Sequence, residues 1–196
     1  EDFFRSQGAS MVRILFSNSV TTVTFSLLAL LLAGILSCAG PRSGTPPRGG
    51  PGVGWQAAAR LSEAIQIRTV SPPGDERPLA ELLVRRLQQA GVAAEVIPTP
   101  RGDSKPGRAA AWAVLPGRGK RAPIVLLSHL DVVPADRADW AIDPFAGGLD
   151  QGYVVGRGAL DAKGVAVVHL LTVTELARRG IQLERDVVFL ATPDEE

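Results

Sequence analysis

Two short apolar stretches of this chain run directly into a histidine and acids: Ile124-Val125-Leu126-Leu127-Ser128-His129-Leu130-Asp131 and Val187-Val188-Phe189-Leu190-Ala191-Thr192-Pro193-Asp194-Glu195-Glu196. A short continuous apolar run bounded by turn residues reads as a buried strand. In open α/β sheets, ligands and metals gather beyond the carboxyl ends of the strands. The pattern therefore delivers the histidine and the acids to one edge of a sheet.

The rest of the chain fits that architecture. Apolar positions at Leu61, Ala64, Ile65 and Ile67, and again at Leu79, Leu82, Leu83 and Leu87, predict amphipathic helices over Trp55 to Arg68 and Pro78 to Ala90, separated by the turn Ser71-Pro72-Pro73-Gly74-Asp75. The period then shortens, and Val92 to Ile97, Ala109 to Leu115, Pro123 to Leu127 and Val187 to Ala191 read as strands. Ala162 to Arg179 is a long apolar helix closed by Gly180. The expected fold is α/β, a mostly parallel mixed sheet flanked by helices on both faces, incomplete at the C-terminus. There is no internal repeat.

Composition narrows the chemistry. With 21 Lys and Arg against 20 Asp and Glu, the net charge of +1 supplies no field that would collect nucleic acid. A single cysteine, Cys38, rules out an intramolecular disulfide, a cysteine zinc site and an iron–sulfur cluster. Any metal must be held by His, Asp and Glu.

The N-terminal part reads as a targeting segment. Phe25 to Leu36 is an apolar run of signal-peptide length, shorter than the roughly 20 residues of a membrane-spanning helix. Met11 and Arg13 supply a start and a thin positive region, so Glu1 to Ser10 are expected to precede the natural start. Ile35-Leu36-Ser37-Cys38-Ala39-Gly40 is similar to a bacterial lipoprotein box with Cys38 as the lipid acceptor. Ordinary cleavage among small residues, or an uncleaved anchor that includes the apolar Ile14 to Thr24, stays open. All three attach the protein to, or send it across, a membrane. The expected division is residues 1–37 as signal sequence, 38–54 as a Gly/Pro-rich tether and 55–196 as catalytic-domain sequence.

His129 and Asp131 stand two apart in an extended segment, so their side chains leave on the same side and Asp131 can hold the imidazole from behind. An isolated pair of this kind is more often a satisfied histidine with no metal. Asp161 opens the 162–179 helix, where a carboxylate is favoured by free backbone N–H groups whatever else it does. The preceding Gly156-Arg157-Gly158 is no dinucleotide loop, because Asp161 stands where a third glycine belongs and would repel a pyrophosphate. Asp194, Glu195 and Glu196 bring three carboxylates together, a repulsion that a divalent cation relieves. Adjacent residues of an extended chain point to opposite sides, which would leave one glutamate for metal and the other for a bound water as general base. His169 lies in the apolar helix and reads as a packed residue.

Taken together, HLDVVPAD, W, DPF, GYVVGRGALDAKG and ATPDEE resemble, in order and spacing from Ser71 to Glu196, the two-zinc metallopeptidase family of aminoacylase, carboxypeptidases G and S, acetylornithine deacetylase and succinyl-diaminopimelate desuccinylase. Trp140, Pro144 and Phe145 are most similar to the carboxypeptidase S branch. The resemblance implies that His129 binds one zinc, Asp161 bridges two, Glu196 binds the other, Glu195 is the base and Asp131 orients His129. It implies hydrolysis of an amide bond in a peptide or N-acyl amino acid, with further ligands and a lid and dimerisation domain beyond Glu196. On that reading the 196 residues alone are expected to hydrolyse nothing. Rival readings are an exported, non-catalytic binding protein on the same fold, and a hydrolase using the same carboxylates on phosphate or ester substrates.

Overall fold

The computed structural model describes residues 11–13, 52–99 and 107–196. Phe25 to Leu36, Cys38 and most of the Gly/Pro-rich stretch lie outside the described residues. The chain runs β1 (Met11–Arg13), α1 (Val53–Gln66), α2 (Arg77–Gln89), β2 (Ala93–Pro98), β3 (Ala109–Leu115), β4 (Ile124–His129), β5 (Gly148–Asp150), β6 (Tyr153–Val155), α3 (Lys163–Arg178) and β7 (Val187–Thr192).

Each helix buries the face its periodicity marks. α1 buries Ala58, Leu61, Ala64 and Ile65, and it begins at Val53, so the last two residues assigned to the tether are helical. α2 starts with a proline in its first turn, where a missing N–H costs nothing, and buries Leu79, Ala80, Leu83, Val84 and Leu87. α3 buries Ala166, Val167, Leu170 and Val173. Together with Phe189, Ala111 and Ala113 these residues form one continuous core.

The main sheet has the order β2-β3-β7-β4. It is mixed, as expected, but parallel pairing is confined to β4 with β7; β2 with β3 and β3 with β7 are antiparallel. The reason is the connection: residues 99–108 between β2 and β3 are too few for the crossover that parallel neighbours need, whereas a crossover such as α3, between β4 and β7, returns a strand in the same direction. β4 stands at the edge of the described sheet, and its Val125 and Leu127 are more than half exposed.

A second, small sheet has the order β1-β6-β5. Its β5–β6 hairpin turns at Gln151 and Gly152, both at positive φ, the requirement of a tight two-residue turn. Strands of three residues carry no readable alternation, which is why this sheet is not legible as a pattern.

Candidate metal centre

The parallel register of β4 on β7 sets the site. His129 pairs with Thr192, so the last residue of one strand lies level with the last residue of the other, and the chain after each runs on at the same edge. The segment after β4 is fixed by its backbone: Leu130 N–H donates to Thr192 O (2.8 Å), Val132 N–H donates to Thr69 O (3.1 Å), and the Thr69 hydroxyl donates to Leu130 O (2.7 Å). Leu130, Asp131 and Val132 are fully buried.

On this frame His129 Nδ1 lies 3.1 Å from the Asp131 carbonyl oxygen and Nε2 lies 2.9 Å from Asp161 Oδ1. A carbonyl can only accept, so Nδ1 carries a proton. In a neutral imidazole Nε2 then holds a lone pair aimed at a carboxylate oxygen, two acceptors face to face. That contact is favourable only if the ring is protonated or a cation shares the two atoms. Burial pushes the His129 pKa down, but the hydrogen bond with Asp161, the Asp131 carbonyl and the two nearby negative charges outweigh it and hold the pKa above its ordinary value.

Asp131 does more than stand behind the histidine. Its Oδ2 accepts from the backbone N–H of Glu195 (2.9 Å) and of Glu196 (3.0 Å). Its Oδ1 is 3.5 Å from His129 Nδ1 and has no hydrogen-bond partner among the described residues. The nearer partner of the imidazole is thus the carbonyl of Asp131, while its carboxylate ties the histidine segment to the glutamate segment.

Asp161 does not cap α3: the capping position is Ala162 and no side chain caps it there. The Asp161 side chain is 74% exposed and turned to His129 instead. α3 is held at this end by Lys163, which is fully buried and donates from Nζ to Ala64 O (3.1 Å) and Ile67 O (2.7 Å), carbonyls left over at the end of α1. Desolvation lowers the Lys163 pKa to about 7. Gly158, at φ 81°, lets the chain pass under Val132: a Cβ there would lie 2.7 Å from Val132 Cγ1. That close approach, and not a phosphate, accounts for the glycine.

Glu195 Oε2 reaches to 4.0 Å from His129 Nε2, and His129, Glu195 and Glu196 each offer a ligand atom within 4.8 Å of the others. The two glutamates therefore do not diverge as strand alternation would have them. β7 has ended at Thr192, and Asp194 at φ 65° takes the chain out of the extended conformation before they begin. Asp194 itself leaves the cluster and pairs with Arg108 (2.9 Å). His169 is on α3 and apart from these residues, with burial lowering its pKa. Trp140 is buried beneath the Arg157 guanidinium, 5.3 Å from its ring centre, and Phe145 lies 4.6 Å from Arg68, so both aromatics are packing anchors.

The donor set is one imidazole and three carboxylates, the hard and intermediate ligands that suit zinc and similar divalent ions. The Nε2–Asp161 contact fits a bound cation.

Residues 125–196 match the sequence model of peptidase family M20/M25/M40. The match covers the segment from β4 to Glu196 and makes it similar to that family. The chain is 34% identical over 134 residues to aminoacylase-1 of Sus scrofa, covering 67% of this chain and 32% of the relative. It is 36% identical over 144 residues to succinyl-diaminopimelate desuccinylase of Methylobacterium radiotolerans, covering 71% and 35%. Among solved structures, human carnosine dipeptidase 1 superposes with a TM-score of 0.60 at 25% identity, covering 70% of this chain and 31% of that one. The chain thus spans about a third of the length of the M20 relatives it matches. The M20 segment carries every site residue named from sequence except Cys38. Sequence reading passed over three buried charges: Arg108 and Lys163, whose only signal is a charge beside an apolar run, and Glu76, which sits between Asp75 and Arg77 and gives no signal at all.

Proposed function

We propose that the complete protein is a metal-dependent hydrolase that cleaves an amide bond in a peptide or N-acyl amino acid, with zinc at His129, Asp161 and Glu196. The observation that carries this is the facing of His129 Nε2 and Asp161 Oδ1 at 2.9 Å while Nδ1 is committed to a carbonyl, an arrangement that a shared cation relieves. Kinship with aminoacylase-1 and with the desuccinylase supports the substrate class.

A bound zinc would supply an acidified water and stabilise the charge that develops on the substrate carbonyl oxygen. Glu195, one of the grouped acids but assigned no zinc by the family resemblance, would be the general base that accepts a proton from the attacking water and returns it to the departing nitrogen. Asp131 keeps both glutamates in place through their amides, and its carbonyl fixes the tautomer of His129 that exposes Nε2 to metal. By family resemblance Asp161 would also serve a second zinc.

The test is a panel of N-acyl amino acids, dipeptides and phosphoesters offered to the zinc-loaded full-length protein. Release of amino acid is expected. Phosphoester turnover alone would replace the substrate class, and metal binding without any turnover would make this a binding protein. We further propose export through Phe25 to Leu36 with lipid on Cys38: radiolabelled palmitate should enter the protein in a bacterial host and vanish with Cys38→Ala. Export without label would leave simple cleavage or an anchor. Pairing of two copies through a lid domain, which the resemblance implies, is read from sedimentation of the full-length protein.

A further inference from the structure

Arg108 lies outside the metal donors, yet its side chain, 4% exposed, is gripped from four directions. Nη1 donates to Glu76 Oε1 (3.0 Å) and pairs with Asp194 Oδ1 (2.9 Å), while Nη2 donates to Ser71 Oγ (2.9 Å) and to Pro73 O (3.2 Å). Gly74, at φ 79°, closes the remaining side: a Cβ there would fall 2.4 Å from the guanidinium carbon. The guanidinium is therefore fixed to the turn before α2, to the residue that starts α2 and to the beginning of β3. Asp194 is the one partner that belongs to the glutamate segment.

Asp194 holds φ 65°, a region that residues other than glycine enter rarely. It keeps the chain after the end of β7 out of the extended line, and Glu195 and Glu196 follow on the His129 side. Their amides then meet Asp131 Oδ2. The segment bearing Glu195 and Glu196 is thus pinned at two points: at its amides by Asp131, and at its entry by the Arg108–Asp194 ion pair. Neither Arg108 nor Asp194 lies among the grouped metal donors.

We infer that Arg108 and Asp194 form a positioning pair that aims the two glutamates at the metal centre, with Glu76, Ser71 and Pro73 holding the arginine in place. This rests on the proposed hydrolase reading. It differs from a merely structural ion pair because the Asp194 side chain is 42% exposed, so losing it should barely change the core.

The experiment uses the full-length protein with Asp194→Gly, which removes the carboxylate and suits the positive φ, and Asp194→Asn, which tolerates that φ and keeps an acceptor for Arg108. Two readouts are taken: zinc-supported turnover of an N-acyl amino acid, and hydrogen exchange of the Glu195 and Glu196 amides relative to those of β7. With Asp194→Gly, kcat should fall about 10- to 100-fold, as for loss of an outer-shell partner, with KM within about threefold. Exchange at the two glutamate amides should quicken at least about tenfold with β7 unchanged, a local and not a global opening. Asp194→Asn should recover most of both. Parent-like turnover and exchange in Asp194→Gly would overturn the inference, as would faster exchange throughout β7. A parent enzyme without turnover would refute the hydrolase reading, and the exchange readout would still decide the positioning role.

Discussion

The two ends of β4 invert the usual rule. At its start the apolar Ile124 and Val125 are 45% and 52% exposed, whereas at its end Ser128, His129 and then Asp131 are 7%, 9% and 0% exposed. Apolar exposure costs little per residue and is common on protein surfaces, but burying charged groups is costly unless they find partners. Thr192, Thr69, Asp161 and the glutamate amides meet most groups of the buried polar end, while the Ser128 hydroxyl and Asp131 Oδ1 have no hydrogen-bond partner among the described residues. The difference teaches that the carboxyl end of this strand is organised for a task other than stability, while its beginning is ordinary surface within the described chain.

The sharpest way to break that contrast is Glu195→Gln in the full-length protein. It should lower turnover at least about 100-fold while zinc content and melting temperature stay near those of the parent, because a general base is lost and no ligand of the proposed set is touched. Steady-state kinetics with metal analysis decides; near-normal turnover would remove Glu195 from its role. Next in size, Asp131→Ala leaves the part-buried amides of Glu195 and Glu196 without their acceptor, and denaturant unfolding should register a loss of about 1–3 kcal/mol per unsatisfied group at most. Stability equal to the parent would mean that the polar end is not held by Asp131. At the other end of the strand, Val125→Thr in the 196-residue chain should change stability by less than about 0.5 kcal/mol, as for most surface substitutions. A larger loss would show that this end is buried against something after all, and the inversion would disappear.

Much of this was legible in the sequence. Helical periodicity located α1, α2 and α3 to within about two residues at each end, because amphipathic spacing repeats over several turns. The convergence of His129, Asp161, Glu195 and Glu196 followed from where the apolar runs stop. Strand direction was less visible: the run Ala109 to Leu115 gives no sign that β3 pairs antiparallel to both its neighbours, since direction depends on connections and not on composition. Alternation misplaced the two glutamates because it holds only while the chain is extended, and Asp194 bends it. Asp131 was placed correctly beside His129, but its bond to two amides 64 and 65 residues away is a long-range event that spacing within one segment cannot encode. Arg108 was missed for the same reason.

The central claim is that His129 Nε2 faces Asp161 because a divalent cation belongs between them. Its most direct measurement is zinc bound by the full-length protein after dialysis against chelator and reloading, compared between the parent and His129→Ala. The account predicts that the parent regains tightly bound zinc and that His129→Ala loses at least one ion per chain while remaining folded. Equal zinc in the two proteins, or none in the parent, would contradict it.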